Sequence, residues 1–91
     1  MSESWLENTA AEEAEADGWL VRKVKYIGRD AAPDRWFLKD GRWVIIEFKD
    51  YGEPLKPQQA LEAKRLKAHG AEVYAIDTIE DFRRVIQAKN S

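Results

Sequence analysis

The tightest constraint in this chain is the dipeptide Asp40-Gly41. It stands between two runs of β-forming residues, RWFLK at 35–39 and RWVIIEF at 42–48. Asp-Gly in that setting favours a two-residue type I′ hairpin, because both turn positions need positive φ. A two-residue turn sets the register. Lys39 faces Arg42, Leu38 faces Trp43, Trp36 faces Ile45, and Asp34 falls opposite Glu47. Two carboxylates therefore meet across the strands. Both faces of the hairpin are apolar near its middle, Trp36, Leu38, Trp43 and Ile45 on one and Phe37, Val44, Ile46 and Phe48 on the other. That pattern predicts strands covered by helices on both sides.

The rest of the chain supplies such helices. A length of 91 residues supports one hydrophobic core, so residues 1–91 are read as a single domain. Residues 3–17 are rich in Ala and Glu, with Leu6, Ala10 and Ala14 at a four-residue spacing and Gly18 where a helix would end. The run from Trp19 to Ile27 reads as a strand closed by Gly28. Beyond Gly52, Pro57 suits the first position of a helix running through QQALEAKRLKAH to Gly70. Ala71–Ile76 alternates as a strand, and Thr78 with Asp81 offers a capping start to a last helix, residues 78–89, with Phe82, Val85 and Ile86 on one face. The order is α-β-β-β-α-β-α. A hairpin followed by a strand-helix-strand crossover implies an α/β fold with a mixed central sheet flanked by helices.

Charge separates the first helix from the remainder of the chain. Charged residues make up 35% of the sequence and no long apolar run interrupts them, which excludes a membrane-spanning segment. The chain has no cysteine, hence neither a disulfide framework nor a thiolate metal site, and its N-terminus does not resemble a signal peptide. A cytoplasmic location is expected. The net charge is -2, but residues 1–17 hold six acids and no Lys or Arg, so the remainder carries a surplus of four positive charges. Arg22, Lys23, Lys25, Arg29 and Arg35 fall in one stretch, enough for a patch that attracts phosphate. Lys56, ahead of the second helix, is a further candidate for DNA contact.

Alternation along a strand sends Glu47 and Lys49 to one face and Phe48 to the other, and the register brings Asp34 to the first of these. Opposed carboxylates have Cβ atoms about 4.5–5.5 Å apart and repel unless a proton or a cation lies between them. A divalent metal with oxygen ligands suits such a place, and Mg²⁺ often takes one or two carboxylates plus a substrate phosphate. Lys49 could orient or help deprotonate an attacking water, or offset charge building on the phosphate. The alternative is structural: Asp34 caps a turn and Glu47 pairs with Lys49 or another cation. Glu-x-Lys alone is weak evidence, since Glu62-Ala63-Lys64 repeats it on the second helix. The force of the pattern lies in the two motifs flanking one hairpin in facing register.

The strings APDRW, VIIEFKDYGEPLKPQQ and LKAHGAEVYAID together resemble the virus-type replication-repair nuclease (VRR-NUC) domain of the PD-(D/E)xK superfamily, especially its short stand-alone phage versions. The family motif runs Gly-x-Pro-Asp-Arg, Glu-x-Lys, a Gly-containing loop, Leu and Gln at a helix start, and a Gly-hydrophobic strand. The matching positions are Pro33, Asp34 and Arg35, then Glu47 and Lys49, Gly52 and Leu55, Gln59, and Gly70 with Val73 and Tyr74. The family's first glycine is replaced by Ala31 or Ala32. The resemblance implies a restriction-endonuclease-like α-β-β-β-α-β core and a Mg²⁺- or Mn²⁺-dependent endonuclease that hydrolyses DNA phosphodiester bonds. Asp34 and Glu47 would be ligands and Lys49 the catalytic cation. The family also carries a Glu on its first helix; Glu3 and Glu7 both fit, and Glu7 is the choice for a third ligand. Gln59 is a further catalytic candidate. The stand-alone members resemble dimeric Holliday-junction resolvases, which implies a homodimer acting on branched DNA in phage or prophage recombination and repair. The competing reading is a nuclease-fold DNA-binding or scaffolding module without catalysis. His69 reads as a surface residue in the last turn of a helix, Trp19, Trp36 and Trp43 as core or interface, and Trp5 as a candidate dimer contact.

Overall fold

The computed structural model describes residues 2–29 and 31–88. Three helices and four strands follow one another as α1 (Glu3–Ala16), β1 (Leu20–Lys23), β2 (Arg35–Lys39), β3 (Arg42–Phe48), α2 (Pro57–Ala68), β4 (Glu72–Ile76) and α3 (Ile79–Gln87). The strands form one sheet in the order β1-β2-β3-β4, antiparallel from β1 to β3 and parallel between β3 and β4. This is the expected α-β-β-β-α-β-α order on a mixed sheet.

The hairpin has the expected register, with Lys39 opposite Arg42 and Trp36 opposite Ile45. Asp40 and Gly41 take φ of 49° and 82°, the positive pair that a type I′ turn requires. Each helix starts as its residues dictate. The Ser2 hydroxyl accepts the Trp5 N–H at the start of α1, Pro57 opens α2, and the Thr78 hydroxyl accepts the Asp81 N–H at 3.1 Å. The last expected helical residue, Lys89, lies outside the described residues.

The core lies on one face of the sheet. Val21, Phe37, Val44, Ile46, Phe48 and Ile76 point to that face and bury Leu6, Ala10, Ala11 and Ala14 of α1 and Ile79 and Phe82 of α3. Phe37, Phe48 and Phe82 meet with ring centroids 5.3–6.3 Å apart, within the range of favourable aromatic packing. Arg42 ties β3, β4 and α3 together: it forms a two-pronged pair with Glu72 and donates to the carbonyls of Val85, Ile86 and Ala88.

Two expectations are corrected. The first strand is shorter than Trp19–Ile27. It pairs from Leu20 to Lys23, with one further rung from the Val24 N–H to the Asp34 carbonyl. Beyond that rung the chain leaves the sheet and enters the β1–β2 loop. The second correction concerns cover. α1 and α3 share one face, while α2 alone lies on the other, against β4, and none of its residues is fully buried. Trp43 and Leu20 remain 45% and 48% exposed, with Trp36 packed edge-to-face on Trp43 at 4.9 Å. The hairpin's second apolar face is thus half open.

The loop between β1 and β2 contains a strained residue. Ala31 has φ of 70°, a left-handed conformation that costs a residue with a Cβ roughly 1–2 kcal/mol. Replacing Ala31 by Gly relieves that strain at the expense of a more flexible unfolded chain. Ala31→Gly is expected to stabilise the fold by about 0.5–1 kcal/mol, read as a rise in the denaturation midpoint. An unchanged or lower midpoint would contradict it.

Candidate active site

Glu47 and Lys49 are 7% and 5% exposed, the two buried charged residues among the described part of the chain. Burying a charge is costly unless it is paired and hydrogen-bonded, so their surroundings decide what the place can do. β3 sends both to the face opposite the main core. Asp34, at the head of β2, meets them there. Its Oδ2 accepts the Phe48 N–H at 2.8 Å, which locks the carboxylate against the end of β3.

The two carboxylates are close enough to share a proton. Burial, then the hydrogen bond and negative charge of Asp34, push the Glu47 carboxyl up to about 8, with Lys49 opposing and Glu3 adding to the shift. With no cation between them, Asp34 and Glu47 cannot both ionise comfortably.

Lys49 is held from the other side. Its Nζ lies 2.9 Å from Glu53 Oε1 and 3.3 Å from Gln59 Oε1. The hydrogen bond to Glu53 raises its pKa against the opposing effect of burial, helped by the charges of Glu53, Glu47 and Glu3. The side chain is therefore a fixed ammonium. Gln59 is set by its own helix: its Oε1 also accepts the Lys56 N–H at 2.9 Å, closing the first turn of α2. The amide that caps the helix is the one that meets Lys49.

On the first helix it is Glu3, and not the expected Glu7, whose carboxyl lies beside Asp34 and Lys49. The Glu3 N–H donates to Asp50 Oδ1 at 2.7 Å, docking the start of α1 onto the residue that follows Lys49. Burial raises the Glu3 carboxyl, as do Asp34, Asp50 and Glu53, against the lowering effect of Lys49. Carboxylate oxygens of Glu3, Asp50 and Glu53 lie within 4.8 Å of one another. Glu7, one turn on, is drawn to the core side of the sheet, 3.4 Å from Arg35 Nε and 3.7 Å from Lys23 Nζ.

The cations expected to contact DNA divide accordingly. Lys23 and Arg35 face α1 and engage Glu7, and the Arg35 side chain is only 19% exposed. Arg22, Lys25, Arg29 and Lys56 are exposed. His69 ends α2 as an exposed C-cap. Trp19 is in the core and Trp5 is 46% exposed.

Asp50 and Glu53 carry no distinguishing mark in the sequence. Asp50 directly follows the Glu-x-Lys motif, but its role depends on where α1 begins in space. Glu53 sits four residues after Lys49 in a turn, a spacing that carries no signal outside a helix.

The donor set suits a hard divalent cation. Asp34 and Glu47, with Glu3 and the Asp50 and Glu53 grouped beside it, offer carboxylate oxygens and no sulfur or imidazole, as Mg²⁺ and Mn²⁺ prefer. The upward shift of Glu47 is what a carboxylate pair shows when the neutralising charge is a proton instead of a metal.

No protein-family model matches the chain. It is 32% identical over 89 residues to a protein described as "Putative nuclease p44" from Acyrthosiphon pisum secondary endosymbiont phage 1, covering 97% of this chain and 95% of that one. Its fold is similar to a solved structure described as a VRR_NUC domain, with a TM-score of 0.89 and 30% identity, over 99% of this chain and 100% of the other.

Proposed function

From the membership of this chain in the VRR-NUC family of nuclease domains, we propose a metal-dependent, structure-selective DNA endonuclease, with the four-way junction as its substrate. The observation that carries the reading is the buried Glu47–Lys49 pair facing Asp34. A scaffold would gain stability from apolar residues there, since burying opposed charges is expensive. A hydrolase needs them.

Asp34, Glu47 and Glu3 would hold Mg²⁺ or Mn²⁺. When bound, the metal would supply an activated water and draw charge from the phosphate. The chain's own groups do the rest. The Phe48 N–H orients Asp34. Lys49, kept protonated by Glu53, is suited to offset negative charge on the phosphate and unsuited to take a proton from water, which favours the electrostatic role. Gln59 holds the ammonium in place.

The junction preference and a homodimer extend the proposal beyond nuclease activity. Two copies related by a twofold axis would present two equivalent sites to two strands. The exposed Leu20 and Trp43, on the sheet face that α2 leaves half open, support a second copy, because large apolar side chains at a surface favour association. Among the described residues no helix is long and apolar enough to cross a membrane.

Cleavage of a labelled panel tests the reading: four-way junction, flap, splayed arm, linear duplex and single strands, each with Mg²⁺, Mn²⁺ or EDTA. Paired nicks placed symmetrically in the junction, with sedimentation as a dimer, are expected. Cutting of linear duplex at an equal rate, or a monomer at cleaving concentrations, would remove the resolvase reading. Tight junction binding without cleavage in either metal would favour the scaffold.

A further inference from the structure

The molecule has a second cationic feature outside the site. A cleft of about 400 Å³ runs between the β1–β2 loop and α2, with Arg29 on the loop wall, and Gln58, Leu61 and Arg65 on the helix wall. Resting on the nuclease reading, we propose that this cleft holds the sugar-phosphate backbone of the DNA substrate at a phosphate outside the scissile one, with Arg29 and Arg65 as its grips.

Continuity with the site is the first support. The loop that forms one wall runs on to Asp34, three residues past Ala31, which also lines the cleft. On the other wall, Gln58 adjoins Gln59, the residue that meets Lys49. A strand with its reacting phosphate at Asp34 and Glu47 would lead directly into the cleft.

Charge is the second support. Arg65 has a half-exposed side chain, and Arg29 is exposed and makes no ion pair among the described residues. Glu62, the one acid among the described residues of the wall, is already engaged. Its Oε2 accepts the Tyr26 hydroxyl at 2.6 Å, and its Oε1 lies 3.9 Å from Arg65 Nη1. The Tyr26–Glu62 bond also pins the loop to the helix, which fixes the width of the cleft. Lys25 lines an adjoining depression on the same loop. The first turn of α2 has no acidic residue, so its positive dipole end is left uncompensated beside Gln58.

Guanidinium groups bind phosphate oxygens in two-pronged geometry. Each phosphate contact adds about 0.9 to the slope of log affinity against log salt on duplex DNA. That slope is a readout that a purely structural role would not move.

The experiment measures binding of a labelled duplex and a four-way junction in Ca²⁺ by fluorescence anisotropy from 50 to 300 mM NaCl, and cleavage in Mg²⁺. It compares wild type, Arg29→Ala, Arg65→Ala, the double variant, and Lys64→Ala on the same helix outside the cleft. Each cleft variant is expected to lower the salt slope by about 0.9, weaken binding about fivefold to tenfold, and raise KM with kcat within about twofold of wild type. Lys64→Ala should match wild type. Unchanged slopes and KM in the double variant, with wild type still binding and cutting, would overturn the cleft and leave the nuclease reading intact. Reduced slopes with a wild type that never cuts would keep the cleft and overturn the nuclease reading. No DNA binding by wild type would overturn both.

Discussion

Glu47→Gln and Lys49→Met should each lower cleavage by a thousandfold or so while leaving the protein folded. The size follows from removing a preorganised charge at a desolvated site, where one such group is worth on the order of 10² to 10³ in rate, and more where it also holds the metal. Folding should survive because the main core, built on Phe37, Phe48 and Phe82 with α1 and α3, lies on the opposite face of the sheet. Gln keeps the shape of Glu47, and Met keeps the stem of Lys49 while removing its charge. Circular dichroism and the denaturation midpoint check the fold; single-turnover cleavage checks the rate. Loss of fold in both variants would make the pair structural.

The same residue should make the metal-free protein lose stability as pH rises from about 5 to about 8. Glu47 has an ordinary value of 4.5 and is pushed to about 8 in the folded state. Between those values the native state binds the proton more tightly than the unfolded chain, so raising pH favours unfolding. The stability is fully present below about 4.5 and is gone above about 8. At about 1.4 kcal/mol for each pH unit between the two values, and with the proton shared with Asp34, the loss amounts to about 2–4 kcal/mol. Glu47→Gln should flatten this dependence and, in EDTA at pH 8, be more stable than wild type. Added Mn²⁺ should restore the wild type and leave the variant unmoved. An inactive variant that is also the more stable one is the expected signature of a site kept at a cost in stability. Equal pH profiles for the two proteins would contradict the account.

Much of the fold was legible in the sequence for a definite reason. A two-residue turn permits one register, so Asp40-Gly41 placed Asp34 against Glu47 by counting, and Thr78 and Pro57 marked their helices by local chemistry. Glu3 was not separable from Glu7. They are one turn apart on the same helix, and the choice depends on two distant contacts, the capture of the Glu3 N–H by Asp50 and of the Glu7 carboxylate by Arg35. The open sheet face was hidden for a similar reason. Both faces of the hairpin read as apolar, and only the position of α2 over β4 decides that Trp43 stays exposed. Local patterns set the strands and their register; the placement of whole helices against them selects which charged groups meet.

The most direct test of a metal-dependent hydrolytic site at Asp34, Glu47, Glu3 and Lys49 is single-turnover cleavage of a four-way junction in Mn²⁺. Wild type and Glu47→Gln are compared, each shown to be folded, with Mn²⁺ binding followed calorimetrically in the same samples. The prediction is tight binding and cleavage by wild type, both abolished in the variant and both absent in EDTA. Cleavage that persists in EDTA, or a variant that binds Mn²⁺ and cuts like wild type, would contradict it.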